Sequence, residues 1–562
     1  MNSHIYGFTT ANNTGQDDAY YQAMLGRDAR FDGVFFTGVT STGIYCRPVC
    51  KVRVPKRENC RFFAHAAQAE GAGFRPCMRC RPELAPHALM WSIQDASHTL
   101  ALQATRLLDE APLDAAPSVA DLAAKLGVSD RHVRRIFEAH IGVSPLQYLQ
   151  TRRLLTAKQL LSDTQMGIGE VALASGWGSL RRFNAAFAAH YRMPPTKLRK
   201  NTQLESLVLR VTKDSQNPKQ SQPERHVNKR LLLRSTAPSD TVLPQASSST
   251  LLGYRPPYDI AAMLGFVQTR QLDTMEYVVN NDHMTMTLRS FSIKIGQSTH
   301  QGWVRSTFEP ARCALRLEVS ASLRPALPAI IRRTRAAFDL DANPAAIEAV
   351  LGAHFPNQSG LRVPGALDGF EVAIRAIVGQ QVTVAAGRCF VQRMVERFGQ
   401  SIDTPFPEIT KLFPTPEMLA GVLPEQLGEL GIVRQRQGAI IALSRAVAAG
   451  DIDLNATSNA LATIEQLKAL PGIGDWTAQY IAMRALRWPD AFPAGDVALH
   501  NALQVRGEKQ PARAAEAASQ AWRPWRSYAV LRAWATLTPK KNPFLNAEDA
   551  KVSQKTQKNT KK

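Results

Sequence analysis

Long hydrophobic runs are absent from this chain of 562 residues. No stretch approaches the roughly 20 consecutive apolar residues that a membrane-spanning helix needs. The opening residues, MNSHIYGFTTANNTGQDDAY, also lack the basic and apolar segments of a secretory signal. We therefore expect a cytoplasmic protein with no membrane partner.

Cysteine is scarce as well, with 7 residues in the whole chain. So small and odd a number argues against a disulfide framework, and clustered cysteines in a reducing compartment more often bind a metal or react.

Acidic residues are fewer than basic ones. The chain has 47 Asp and Glu and 68 Lys and Arg, for a net charge of +21. This excess predicts a polyanionic partner, nucleic acid before an anionic membrane, although a basic surface without any partner remains an alternative.

The length of the chain predicts several domains rather than one core. Polar sequence rich in Ser, Pro and Gln indicates a flexible linker near the middle, and alternation in MTMTLRSFSIKI and CALRLEVSASL predicts strands after it. We predict a cysteine-containing domain, a helical domain, a linker, a strand-containing subdomain, a helical body and a basic tail. Their predicted bounds are 1–90, 95–200, 201–250, 251–330, 331–545 and 546–562.

Two pairs of cysteines lie close together in STGIYCRPVC and CMRC. Cys46 and Cys50 are separated by three residues, Cys77 and Cys80 by two, and this is the spacing with which four thiolates bind one tetrahedral zinc ion. Unrelated buried cysteines are the alternative, and we expect Cys60 to be one. Basic residues flank the pairs and favour the thiolate form. We expect Arg47, between Cys46 and Cys50, to face a phosphate backbone.

Two helix-turn-helix patterns follow. The first is SVADLAAKLGVSDRHVRRIFEAHIG, in which Ser118 and Ser129 are positioned to cap two helices that Gly127 separates. The second is GIGEVALASGWGSLRRFNAAF, which has the same arrangement with a cap at Ser179. One such pattern is common among helical hairpins, whereas two in tandem indicate DNA binding. A solvated charged face is the alternative for the outward arginines, which are Arg131, Arg134, Arg135, Arg181 and Arg182.

A glycine-rich helical hairpin lies in LKALPGIGDWTAQYIAMRAL. Gly472 and Gly474 would let backbone N–H groups approach a phosphate closely. Asp496 follows the last glycine by 22 residues and is expected at a helix N-terminus. The alternatives are a structural joint for the hairpin and an ordinary helix cap for Asp496.

The N-terminal part of the chain resembles the Ada family of DNA repair proteins, on STGIYCRPVCKVRVPKRENCRFF and AEGAGFRPCMRCRPE. The resemblance implies a zinc ion held by Cys46, Cys50, Cys77 and Cys80, with Cys46 accepting a methyl group from a DNA phosphotriester. Residues 95–200 resemble the AraC-type DNA-binding domain, which also follows the zinc domain in Ada. This implies promoter DNA as a partner, and RNA polymerase as a candidate one. The Pro-Cys-His-Arg motif of Ada's second methyltransferase domain is absent from the sequence.

Residues 253–540 resemble the AlkA-like 3-methyladenine glycosylases of the helix-hairpin-helix superfamily, on PPYD, MLGF, FDLDANP, LPGIGDWTAQY and WRPWRSYAVLRAW. The resemblance implies that Asp496 is the catalytic carboxylate and that Gln381 stands at the DNA wedge position, where AlkA has leucine. Bifunctional relatives have a lysine where this chain has Trp476, so the resemblance implies hydrolysis alone. The implied base pocket comprises Phe266, Trp476, Tyr480 and Trp534, and Ala535 replaces an AlkA tyrosine.

These inferences predict a mainly α, multidomain protein. It would combine a small zinc-binding α+β domain, an all-α tandem helix-turn-helix domain, and an α+β glycosylase with a small antiparallel sheet and a helix-hairpin-helix body. The expected function is excision of alkylated purines such as 3-methyladenine from double-stranded DNA, together with methyl acceptance at Cys46. One alternative is a methylation-responsive transcription regulator that uses the glycosylase body mainly as a DNA clamp. Another is a zinc-dependent DNA-binding scaffold with neither activity.

Overall fold

The computed structural model describes residues 14–86, 96–111, 113, 116–199, 247–295, 298–456 and 458–537. Residues 201–246 of the predicted linker and the whole predicted basic tail lie outside the described residues. Within the described ranges, no helix is both long and apolar enough to cross a membrane. The remaining domain bounds stay predictions.

A four-stranded sheet forms the N-terminal unit. Strands β2 and β4 are parallel neighbours, and the other pairs in the order β3-β1-β2-β4 are antiparallel. Phe36, Tyr45 and Phe74 are buried in its small core. Because β2 and β4 run in the same direction, their C-terminal ends meet at one edge. The elements are α1 (Thr14–Leu25), β1 (Phe36–Val39), β2 (Ile44–Cys46), β3 (Cys60–Phe63), α2 (Ala66–Gly71) and β4 (Arg75–Pro76).

Helices form the second unit, in which two helix-turn-helix hairpins flank one long helix. The caps agree with the sequence prediction, because Ser118, Ser129 and Ser179 each accept a backbone N–H at a helix start. Gly127 ends the first of these helices at a φ of 67°, a conformation that favours glycine. The helices are α3 (Ala96–Glu110), α4 (Val119–Leu126), α5 (Asp130–Ile141), α6 (Pro145–Asp163), α7 (Ile168–Ala174) and α8 (Leu180–Tyr191).

A five-stranded antiparallel sheet of order β5-β9-β8-β7-β6 opens the C-terminal half, which confirms the predicted small sheet. Its first strand begins at Ser248, three residues before the predicted boundary at 251. The elements are β5 (Ser248–Gly253), α9 (Ile260–Gln268), β6 (Glu276–Asn280), β7 (Thr285–Ile295), β8 (Ser298–Glu309) and β9 (Ala314–Val319).

The helical body surrounds α12, whose side chains are almost all buried. Helices α17 and α18 flank the predicted glycine hairpin and pack on each other, and α18 also packs on α12. The mainly α, multidomain fold class is therefore confirmed. The helices are α10 (Leu327–Ala337), α11 (Pro344–Leu351), α12 (Gly369–Val378), α13 (Val384–Phe398), α14 (Pro416–Ala420), α15 (Pro424–Gly428), α16 (Arg434–Ala449), α17 (Ala460–Lys468), α18 (Asp475–Arg484), α19 (Val497–Ala502), α20 (Pro511–Ala518) and α21 (Arg526–Leu537).

The second helix-turn-helix hairpin and the β5–β9 sheet share one hydrophobic core. Phe183 and Phe187 of α8 belong to the same buried cluster as Leu252 and Phe291 of the sheet. Burying apolar surface between them stabilises their association. The structure therefore joins the two halves, whereas a flexible linker alone would leave them independent.

Buried arginine and lysine side chains also hold the N-terminal unit against its neighbours. This unit, residues 14–86, carries the four paired cysteines and is the zinc-ligand unit. Lys158 of α6 is 1% exposed, pairs with Glu83 at 2.6 Å and donates to the carbonyl oxygen of Cys77 at 3.1 Å. Arg255, just after β5, is fully buried and donates to the carbonyl oxygens of Asp32 at 2.8 Å and Pro86 at 3.1 Å. Burial lowers the pKa of Arg255 to about 10.

Candidate metal centre and candidate active site

The four paired cysteines converge at the edge where β2 and β4 end. Tyr45 is the register partner of Pro76, so Cys46 and Cys77 emerge side by side from the two parallel strands. Cys50 and Cys80 follow in the adjoining loops, and the Sγ atoms of all four lie within 4.8 Å of one another. Parallel pairing thus brings together two cysteine pairs that are 26 residues apart.

This donor set fits one zinc ion. Four thiolates about 2.3 Å from a metal are the usual structural zinc site, and Cys46, Cys50 and Cys77 are buried. The backbone N–H of Arg47 lies 3.4 Å from the Sγ of Cys80, a hydrogen bond to the ligand sphere. The prediction of one zinc ion with four cysteine ligands is confirmed by this cluster. Cys60 stands apart and its Sγ contacts the carbonyl oxygen of Lys56 instead.

The expectation that Arg47 faces DNA phosphate is wrong. Its side chain is 11% exposed and forms an ion pair with Asp32, which is 4% exposed. The Nε of Arg47 donates to Asp32 at 2.8 Å, and its Nη1 donates to the carbonyl oxygen of Cys80 at 3.1 Å. A buried carboxylate needs a cation beside it. Arg47 supplies that charge to Asp32 and holds the loop that carries Cys80 in place. Of the basic residues near the cysteines, Lys51, Arg53 and Arg79 are exposed.

The predicted DNA-reading arginines lie on the second helix of each hairpin. Arg131, Arg134 and Arg135 of α5 are exposed, while the opposite face of that helix is buried through Val133, Ile136 and Phe137. Arg181 and Arg182 of α8 are exposed in the same manner. Both helices therefore present a basic face to solvent, and which bases these arginines contact stays a prediction.

Asp496 caps α19 and accepts three hydrogen bonds. Its Oδ1 accepts the backbone N–H of Leu499 at 2.7 Å and the indole N–H of Trp534 at 3.0 Å. Its Oδ2 accepts the indole N–H of Trp476 at 2.9 Å. Asp496 is therefore both an ordinary helix cap and the acceptor for two indole N–H groups. These three hydrogen bonds hold its carboxylate in one orientation.

Aromatic rings line the space beside this carboxylate. Tyr480 stacks on Trp476 with ring centroids 5.4 Å apart and an interplanar angle of 14°. Trp534 lies 6.4 Å from Tyr480, tilted by 40°. The structure thus brings together Trp476, Tyr480 and Trp534 of the predicted base pocket with Asp496, and both indoles use their N–H groups there rather than serving only as core.

The glycine hairpin leads directly into this helix. Gly472 has a φ of 79° and packs so closely on α16 that an added Cβ would lie 3.0 Å from the Cβ of Ala439. Gly474 is exposed, caps α18, and an added Cβ would meet nothing within 4 Å. Folding therefore requires glycine at 472, whereas the open space at Gly474 leaves room for a close external contact.

Comparisons with known proteins show which families the parts of this chain resemble. Four family models match the chain: the metal binding domain of Ada over residues 19–83, a helix-turn-helix domain over 122–201, the AlkA N-terminal domain over 249–368, and the HhH-GPD superfamily base excision DNA repair protein over 374–527. The chain is 34% identical over 526 residues to the probable bifunctional transcriptional activator/DNA repair enzyme AlkA of Mycobacterium tuberculosis, covering 92% of this chain and 96% of the relative. The chain belongs to this bifunctional Ada–AlkA family.

Shorter relatives match separate parts of this chain. DNA-3-methyladenine glycosylase 2 of Escherichia coli is 34% identical over 285 residues, which are 51% of this chain and 96% of the relative. The bifunctional transcriptional activator/DNA repair enzyme Ada of Escherichia coli is 38% identical over 147 residues, which are 26% of this chain and 39% of the relative. The matched domains make DNA a partner of this chain.

Two arginines of this Ada–AlkA chain were missed by reasoning from the sequence. Arg270 lies over the ring of Phe266 at 3.7 Å, and Arg484 lies over the same ring at 4.7 Å while donating to the hydroxyl of Tyr480 at 2.8 Å. Burial raises the pKa of Tyr480, but Arg484 and Arg270 outweigh it and lower that pKa. Arg484 thus connects the ring of Phe266 to the hydroxyl of Tyr480. The i, i+4 spacing of Tyr480 and Arg484 on a helix was the available signal.

Proposed function

We propose that this chain repairs alkylated DNA and that its C-terminal half hydrolyses the N-glycosidic bond of alkylated purines such as 3-methyladenine in double-stranded DNA. The observation that carries this proposal is the carboxylate of Asp496, which accepts two indole N–H groups and one backbone N–H beside stacked aromatic rings. Such a site combines a carboxylate for the sugar with flat aromatic surfaces for the flipped base, and excision of a flipped base requires both.

Asp496 would act on the sugar. As the glycosidic bond breaks, positive charge develops on the sugar ring, and a carboxylate held nearby stabilises it. The same carboxylate would orient the attacking water and take its proton. Because the three donors already hold both oxygens in place, little reorientation would be needed when the charge forms.

Trp476, Tyr480 and Trp534 would bind the flipped base. N3- and N7-methylated purines carry positive charge, so stacking on these rings adds a cation–π contribution of roughly 0.5 to 2 kcal/mol over a neutral base. Phe266 would close the pocket beside Arg270 and Arg484. Trp476 has no amine with which to form a Schiff base, so we propose a monofunctional enzyme that leaves an abasic site.

The hairpin and the loop before α13 would hold the duplex. Gly472 and Gly474 would bring backbone N–H groups close to a phosphate at the start of α18, where the helix dipole favours negative charge. Gln381 would fill the stack that the flipped base vacates. The exposed arginines of α5 and α8 would bind promoter DNA, and RNA polymerase is the further partner that we propose for transcription activation.

The N-terminal half would remove methyl groups from phosphotriesters. The sulfur of Cys46 would attack the methyl carbon, forming an S–C bond while the O–CH₃ bond breaks and its electron pair returns to the phosphate oxygen. Zinc, when bound, keeps the cysteines as thiolates at neutral pH. The methylated sulfur carries one negative charge less, which would weaken repulsion from DNA phosphate and favour DNA binding.

Excision from methylated duplex DNA tests the glycosylase. Wild-type protein should release labelled methylpurine and leave abasic sites without strand cleavage, and Asp496→Asn should release none above background. Asp403→Asn makes the same chemical change at an exposed position and should keep wild-type activity. A wild type that binds DNA but releases no base would instead favour the methylation-responsive regulator with a DNA clamp.

Mass spectrometry tests the methyl acceptor. After incubation with methyl phosphotriester DNA, one added methyl group should be found on Cys46 and none on Cys60. A methyl group on Cys60, or no methyl group on any cysteine, would contradict the assignment.

A further inference from the structure

The loop between α12 and α13 holds a residue in a strained conformation. Gln381 is exposed and has a φ of 52°, in the left-handed region that residues other than glycine seldom adopt. Such strain persists only when the surrounding structure holds it in place. Contacts of the neighbouring residues must therefore keep this loop in its conformation.

The preceding residue, Gln380, supplies those contacts. Its side-chain amide Nε2 donates to the carbonyl oxygen of Gly472 at 3.0 Å and lies 2.9 Å from the Oγ1 of Thr477. Its own carbonyl oxygen accepts a hydrogen bond from Arg436 of α16. Gln380 is thus bonded at both its side chain and its backbone, one position before the strained residue.

The partners of Gln380 belong to the parts of the proposed active site. Gly472 is the hairpin glycine, and it packs against α16, the helix that also carries Arg436. Thr477 is 2% exposed and follows Trp476, whose indole N–H donates to Asp496. One amide group therefore connects the exposed loop, the hairpin and the first turn of α18.

We propose that Gln380 is a positioning residue, which sets the distance between Gln381 in the opened base stack and the base pocket at Asp496. Insertion of Gln381 into the duplex and delivery of the flipped base to the carboxylate are then coupled through the amide of Gln380. This inference rests on the proposed excision of bases from duplex DNA. It adds a residue that touches neither the flipped base nor the sugar.

Gln380→Met tests the coupling, because methionine keeps the length of the side chain and removes both donors. With a 7-methylguanine duplex, we expect single-turnover excision about 10-fold slower, since two hydrogen bonds of ordinary strength are lost. With the same lesion opposite an abasic site, where the base has no pairing partner and costs less to flip, the loss should be about 2-fold or less. Equal losses on both substrates, or no loss on either, would overturn the proposal.

A binding readout separates this inference from the proposed function. In the Asp496→Asn background, 2-aminopurine beside the lesion should brighten on binding as the stack opens, and adding Gln380→Met should reduce that increase. An unchanged increase would overturn the inference even if excision is observed. Wild-type protein that excises no base from either substrate would instead overturn the proposed function.

Two further variants guard against an effect on folding. Thr477→Val removes one of the two acceptors and nearly preserves side-chain shape, so it should reproduce part of the duplex-specific loss; a loss equal on both substrates would count against the proposal. Gln392→Met changes a half-buried glutamine of α13 that donates to the carbonyl oxygen of Asp273 and to the carboxylate of Glu396. It should excise both substrates at wild-type rates, and a duplex-specific loss in this control would also overturn the assignment to Gln380.

Discussion

The metal centre and the proposed base pocket of this protein are built in opposite ways. The four zinc ligands lie within residues 46–80 and emerge from the ends of two neighbouring strands. The proposed pocket would draw Phe266 from α9, Trp476 and Tyr480 from α18, Asp496 from the start of α19 and Trp534 from α21. The first site needs one pair of strands in register, whereas the second needs several helices in their final places.

The two sites also differ in the source of their stability. The zinc-ligand unit has a small aromatic core, so metal binding is expected to supply much of its folding free energy. The pocket lies on the large hydrophobic core of the helical body, which partly buried Tyr480 and Trp534 join. Perturbing the metal should therefore unfold one site and leave the other.

Zinc removal is the strongest test of this comparison. Zinc binding contributes about 10 to 16 kcal/mol to the folding of small zinc domains, so Cys77→Ser should lose zinc and hydrogen-exchange protection across residues 14–86. Base excision should stay within about 2-fold of wild type, because the pocket has its own core. Cys60→Ser serves as the control and should keep its zinc. Loss of excision together with zinc would show that the pocket depends on the metal centre.

The ion pair beside the metal gives the next largest effect. Arg47→Met leaves the buried carboxylate of Asp32 without its cation, which should lower the free energy of unfolding by about 3 to 5 kcal/mol. Urea denaturation followed by near-UV circular dichroism measures this loss. Arg53→Met, at an exposed arginine, should change little. Adding Asp32→Asn to Arg47→Met should recover part of the loss, and a failure to recover would mean that packing rather than charge is responsible.

A smaller effect is expected in the pocket from Trp476→Phe, which keeps an aromatic ring and removes the N–H that reaches Asp496. A hydrogen bond to a charged group is worth about 1.5 to 3 kcal/mol, so kcat for excision should fall about 10- to 100-fold. Trp534→Phe should give a similar loss at the other carboxylate oxygen. Trp303→Phe, in the sheet against Phe406, is the matched control. A loss confined to KM would show that the indoles bind the base without orienting the carboxylate.

Several features were predicted from local sequence because they depend on few neighbours. The spacing of Cys46, Cys50, Cys77 and Cys80 predicted one zinc ion, and the serines at 118, 129 and 179 predicted helix starts that the structure confirms. Each of these features depends on residues a few positions apart or on one strand pairing. The resemblance to known families supplied the residues of the base pocket, which no local pattern would bring together.

Other features escaped prediction because they depend on contacts between distant residues. Arg47 looked available to DNA, yet Asp32 pairs with it inside the fold. Nothing in the polar stretch around residue 220 indicated that α8 and the β5–β9 sheet share a core. Charge in a sequence does not reveal which side chains will be buried together.

The amino-acid sequence alone specifies the ligand set of the metal centre, the order of the helical hairpins, and the carboxylate and aromatic side chains available for base excision. The tertiary structure decided that both indole N–H groups meet Asp496, that Gln380 joins the exposed loop to the hairpin, and that Arg255 holds the zinc-ligand unit against the C-terminal half. The physical reason is that the direction of a side chain is set by the packing of its whole helix or strand. That packing depends on hydrophobic contacts between elements hundreds of residues apart.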